Sequence, residues 1–147
     1  MKIMNFAMTL HQTDVGYGQT TPGTLPRSPE IFIPLAARNA NPDFWGWPDR
    51  FSEDPEKGNK FDRLNVPALL NGRTISINMM TWPDKSDFRL RCQNIREVAS
   101  VGDILVITSS YAGYEVRIVN SLDTEFQKLL AFCSNPVRNS EKRWGYF

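Results

Sequence analysis

The single histidine, His11, limits what familiar chemistry this chain can perform. A Ser–His–acid triad would have to be built on it, and no serine lies in a G-x-S-x-G elbow. No second histidine and no cysteine cluster accompanies it, so a zinc or thiolate-ligated metal has no ligand set. His11 is followed by Gln12–Thr13, so the His-x-Lys element of a phospholipase-D nuclease is missing. Pro83–Asp84 could open a metal-dependent nuclease motif, whose second element is an acid two places before a lysine. Lys57, Lys60, Lys85, Lys128 and Lys142 each have a non-acidic residue there. Gly16–Tyr17–Gly18 is a lone G-x-G with no helix pattern after it, unlike a dinucleotide loop. Carboxylates are plentiful, but nothing singles out an acid–base dyad. The expectation is a chain without catalysis of its own and without a cofactor.

Recognition chemistry is better represented. In "TWPDKSDFRLRC", Thr81 to Cys92, Phe88, Leu90 and Cys92 alternate with Asp87, Arg89 and Arg91. That period of two marks a half-buried strand with charged residues on its outer face. Before it stands a short arm with Trp82, Asp84, Lys85 and Ser86. A second polar arm, "AARNANPD", carries Arg38, Asn39, Asn41 and Asp43. Arg and Lys can bond guanine O6 and N7, Asn can bracket adenine, and Asp can accept from cytosine N4. Mixed charge suits a base reader, whereas a phosphate clamp would be nearly all cationic. Each arm also has a plainer reading, as an Asn-rich turn or a solvated strand face.

The elements that must position these arms can be read from pattern. At 147 residues the chain is expected to form one domain, 29–147, preceded by a wrapping loop or linker over 1–28 rich in Gly, Thr and Pro. "EIFIPL" predicts a strand of buried type, and "AARNANPDFWGWPDRF" is too irregular for a regular element, with Trp45 and Trp47 packed on the barrel end. "FDRLNVPALLNG" predicts a strand with an edge or bulge at Pro67, stopped by an Asn71–Gly72 turn. "RTISINMM" points Ile75, Ile77 and Met79 inward. "NIREVASVG" predicts a short helix capped by Asn94, and "DILVITSSYAGYEVRIVN" two further strands. Leu122, Phe126, Leu129, Leu130 and Cys133 form one helical face, ended by Asn135–Pro136. Cys92 and Cys133 read as small core residues. Lys+Arg total 17 against Asp+Glu 16, which excludes a polycation held to nucleic acid by net charge alone. No apolar run is long enough to span a bilayer, and "MKIMNFAMTL" lacks a signal-peptide cleavage site. The cytoplasm is the expected compartment and no membrane is an expected partner.

"PEIFIPL" with its Asn-rich arm, "NGRTISINMMTWPDKSDFRLR", "VGDILVI…YEVRIV" and the closing helix together resemble a known family. It is the B-three-like DNA-recognition domain of restriction endonucleases, of the BfiI/NgoAVII (phospholipase-D-type) and EcoRII amino-terminal effector kind. The resemblance covers roughly Pro29 to Cys133. It implies a mainly β (α+β) fold, a seven-stranded open pseudobarrel with two short helices capping its ends. It also implies sequence-specific binding of double-stranded DNA through the major groove, in a prokaryotic cytoplasm and nucleoid. The nuclease would be a separate domain of the same full-length protein. By position, base-reading residues would be Arg38, Asn39, Asn41, Asp43, Asp84, Lys85, Asp87 and Arg89, with a weak preference for G·C-rich sites. Arg27, Trp82, Ser86, Arg91, Arg138, Lys142 and Arg143 would meet the DNA backbone. The alternatives are a small-ligand-binding or enzymatic β-barrel, or a protein-interaction domain using exposed Trp.

Overall fold

Alternating apolar residues build most of the molecule. The computed structural model describes residues 3–15, 30–110 and 113–147. In chain order its strands are β1 (Met4–Thr9), β2 (Glu30–Phe32), β3 (Ser52–Glu53), β4 (Phe61–Leu70), β5 (Arg73–Trp82), β6 (Asp87–Arg91), β7 (Ile104–Ser110), β8 (Gly113–Val119), β9 (Asn135–Pro136) and β10 (Arg143–Tyr146). Its helices are α1 (Gln12–Val15), α2 (Leu35–Ala40), α3 (Pro42–Trp45), α4 (Gln93–Val98) and α5 (Phe126–Phe132), with a single 3₁₀ turn at Pro83–Lys85.

The strands form one curled half-barrel sheet in the order β2-β6-β5-β4-β8-β7-β1-β10-β9, and β3 pairs with β4 off that path. The fold is therefore mainly β, as expected, but with ten strands among the described residues rather than seven. The predicted alternations hold: Ile75, Ile77 and Met79 of β5, and Phe88 and Leu90 of β6, are buried, as is Cys92 just beyond. Asn71 and Gly72 both take positive φ, 50° and 81°, which gives β4 and β5 a tight two-residue turn. Pro67 lies just past a bulge between Arg63 and Val66, where Asn65 has φ 57°. Pro67 itself is in register with Ser76 of β5, and the ladder to β8 begins only at the next residue, Ala68.

Other expectations change. Met4–Thr9, predicted inside a wrapping loop, is a strand paired to both β7 and β10. Phe6, Ala7 and Met8 are all fully buried, because the main core covers one face and α5 the other. A strand covered on both faces has no alternation to read. The strand predicted over Glu30–Leu35 stops at Phe32, and the stretch predicted to be irregular holds α2 and α3. The closing helix is real but begins at Phe126; Leu122 lies before it, 92% exposed, while Leu129 and Cys133 are buried. The short helix is also present as α4, entered through Cys92 rather than Asn94.

Candidate nucleic-acid interface

The second arm is a tight loop on a fixed stem. Pro83 opens the 3₁₀ turn, where its fixed φ suits the first helical position. Ser86 closes the turn in the left-handed region (φ 51°), its N–H donating to the carbonyl of Pro83. Beneath the turn, the buried Thr81 hydroxyl donates to the carbonyl of Asp87 at 2.8 Å. Asp84, Lys85 and Ser86 are left exposed at the tip. Trp82 is half-buried, with Arg89 5.0 Å and Lys60 5.6 Å from its ring centroid.

Arg89 is placed differently from the expectation. Its Nε and Nη2 donate to both carboxylate oxygens of Asp87 (3.0 and 2.8 Å), and Nη1 donates to Glu30 at 2.6 Å. The bonds to Asp87, then those to Glu30, raise the guanidinium's pKa above its already high ordinary value against the pull of burial. Carboxylates engage three of its five N–H donors, so Arg89 and Asp87 are held to each other rather than standing as independent groups. The acids beside the arginine hold it in place. Arg91, the next outward residue, is exposed and makes no ion pair among the described residues.

Arg38 is also corrected. It is 5% exposed, donating from Nη1 to the Thr81 hydroxyl (2.7 Å) and from Nη2 to Asn39 Oδ1 (3.0 Å). Its plane lies 4.4 Å from the Trp47 ring centroid, and burial lowers its pKa. Arg38 thus joins the first arm to the stem of the second rather than reading a base. Asn39 and Asp43 are exposed, while Asn41 is half-buried and donates to the Met4 sulfur. Asp43 lies in a separate cleft beside Arg50 and Arg63, near the β7–β8 end.

Lys142 is the third correction. It is 6% exposed, and its ammonium donates to Asp14 Oδ1 (2.9 Å) and to the carbonyl of Phe32 (2.6 Å). Asp14, 2% exposed, accepts in turn from the N–H of Phe32 (3.1 Å) and of His11 (2.9 Å). Burial lowers the lysine's pKa, and the Asp14 charge pulls it back up. A buried ammonium so engaged is not available to phosphate. Arg138 and Arg143 are exposed, and Arg27 lies outside the described residues.

These segments meet around a groove of about 650 Å³. Its walls are Pro34–Ala36 at the root of the first arm, Lys85–Asp87 of the second, and Val137–Arg138 before β10. Lys85, Ser86 and Arg138 are thereby brought together as exposed polar groups, while Asn39 and Asp43 are not part of this groove. Pattern reasoning missed the fixing residues Asp14 and Thr81, whose partners are distant in sequence and leave no local signal. Among the described residues no group of three or more His, Cys, Asp or Glu could hold a metal ion, and no helix is long and apolar enough to cross a membrane. No protein-family model matches the chain, and no curated protein matches it in sequence.

Proposed function

We propose that this chain binds a short site in double-stranded DNA, reading base edges with the tip of the second arm and gripping phosphates from the groove's opposite wall. One observation carries the proposal. Asp84, Lys85 and Ser86 stand exposed on a stem locked by Thr81 and Arg89, and Lys85 and Ser86 line a groove that Arg138 also lines. A rigid stem lets a short side chain be aimed at a base with little entropy lost. Lys85 suits guanine O6 or N7, and Asp84 suits the cytosine amino group, which keeps G·C-rich sites as the preference. Arg138, with Arg91 and Arg143 on the surrounding surface, suits phosphate.

The resemblance to B-three-like recognition domains supports the finer reading. The chain is then the target-recognition module of a prokaryotic restriction endonuclease, cutting nothing itself and working beside a nuclease domain. The rival readings have less support. A protein anchor on Trp45 and Trp47 loses Trp45 to the core, and a ligand pocket on "FWGW" and Trp82 loses Phe44 and Trp45 likewise, while Trp47 and Trp82 stay half-buried.

Selection from random duplexes, followed by sequencing, tests the proposal. It should enrich a motif, and the duplex should stay uncut with or without magnesium. Lys85→Ala should then weaken the selected site by ~1–3 kcal/mol more than it weakens random DNA. Arg138→Ala should weaken both alike and lower the salt slope by about one unit. A selection that enriches nothing would remove DNA recognition.

A further inference from the structure

The loop between β3 and β4 is built more firmly than a solvated turn requires. Asp54 Oδ1 accepts from the N–H of Glu56 (2.8 Å) and of Lys57 (3.1 Å). Asp54 N–H bonds the carbonyl of Lys60, and Lys60 N–H bonds that of Lys57. The Lys60 ammonium then sits between Asp54 (3.4 Å) and Asp62 (3.2 Å), 5.6 Å from the Trp82 ring centroid. Lys60 thereby fastens the loop against the second arm. Lys57, three residues earlier, is exposed and makes no ion pair among the described residues.

This arrangement leaves a cleft of about 310 Å³ beside the second arm. Lys57, Gly58 and Asn59 form one wall, and Trp82, Asp84 and Lys85 the other. Its two ammoniums and one carboxylate sum to a single positive charge. That balance matches a monoanionic phosphodiester better than a dianionic phosphomonoester. The Asn59 side chain and the indole add a hydrogen-bonding group and an apolar surface for the sugar.

We infer that the cleft between Lys57 and Lys85 is a docking site for one backbone phosphodiester of the bound DNA, next to the bases the second arm reads. The inference rests on the DNA-binding reading and adds a third contact element to it. Lys57 supplies charge without base preference, and Lys60 is the positioning residue that holds the loop in place.

Anisotropy titrations of a labelled duplex against salt test it with the full chain. Lys57→Ala should weaken selected and random duplexes by the same factor, lower the salt slope by about one unit, and leave the selected motif unchanged. Lys57→Glu should weaken both further. Scanning the duplex with single neutral methylphosphonates should find a position that weakens the wild type but leaves Lys57→Ala unaffected. Wild-type binding with an unaltered slope in Lys57→Ala, or no such position, would overturn the cleft alone. A wild-type protein that binds no duplex would overturn both readings. Because Lys57 is exposed and its side chain makes no hydrogen bond or ion pair among the described residues, unchanged urea unfolding of Lys57→Ala is the expected control.

Discussion

At the scale of the residue, availability matters as much as chemical type. Arg89 has the right side chain for a bidentate base contact, but Asp87 and Glu30 already engage three of its five N–H donors. Its guanidinium also lies 4.7 Å from the Phe32 ring centroid, so it ties the edge strand β2 to β6 by charge and by packing. Arg89→Ala would leave two half-buried carboxylates facing each other without their cation. We expect it to destabilise the fold by ~1–3 kcal/mol, read as a lower urea midpoint. Arg89→Lys should restore only part, since a point charge cannot engage both carboxylates in that geometry. An unchanged midpoint in Arg89→Ala would mean that the arginine is free for a ligand after all. Lys85 is the converse case, an ordinary exposed lysine given a role by the loop that carries it.

At the scale of the element, the first arm is docked as a unit. The helices α2 and α3 close over one end of the sheet, where Trp45 packs edge-on against Phe6, Phe44 and Phe88. Trp45 Nε1–H donates to the Tyr146 hydroxyl (2.9 Å), which donates to the carbonyl of Ala37. Tyr114 donates to the carbonyl of Phe44 in the same way. Burial raises both phenol pKa values above the ordinary 10.0. The folded state therefore holds these protons more tightly than the unfolded chain. Their contribution is complete below about pH 10 and is lost as pH climbs beyond it. Urea midpoints should accordingly fall from pH 9 to pH 11. Tyr146→Phe should cost ~1–3 kcal/mol near neutral pH, because it strands a buried indole N–H, and should flatten the alkaline decline. An equally steep decline in that variant would show that Tyr146 is not the group responsible.

At the scale of the whole molecule, the half-barrel must close between its two edge strands, β2 and β9. Among the described residues no ladder spans that seam. Phe32, whose N–H and C=O face away from β6, instead has its N–H taken by Asp14 and its C=O by Lys142. An ion pair thus fills the place of a neighbouring strand and blunts an edge that could otherwise recruit another chain. Lys142→Met would leave the Asp14 carboxylate buried without its cation, and we expect a loss of ~3–5 kcal/mol in urea unfolding. Exchanging the two charges, Asp14→Lys with Lys142→Asp, should not restore stability, because the ammonium would then face an N–H and the carboxylate a C=O. Recovery in the exchanged pair would show that only the net charge at the seam matters.

The local content of the chain was open to direct reading: period-two strands, the Asn71–Gly72 turn, the bulge near Pro67, the helical face ending at Cys133, and the two polar arms. Each of these depends on residues a few places apart. β1 was hidden because burial on both faces erases alternation, and β2 is too short for a pattern to bound it. The state of the charges belonged to tertiary structure alone. Arg89 meets Glu30 across 59 positions, Arg38 meets Thr81 across 43, and Lys142 meets Asp14 across 128. Residue type shows which side chains can bind a base or a phosphate; the fold decides which of them are left free, because only the curled sheet brings partners so distant in sequence within bonding distance.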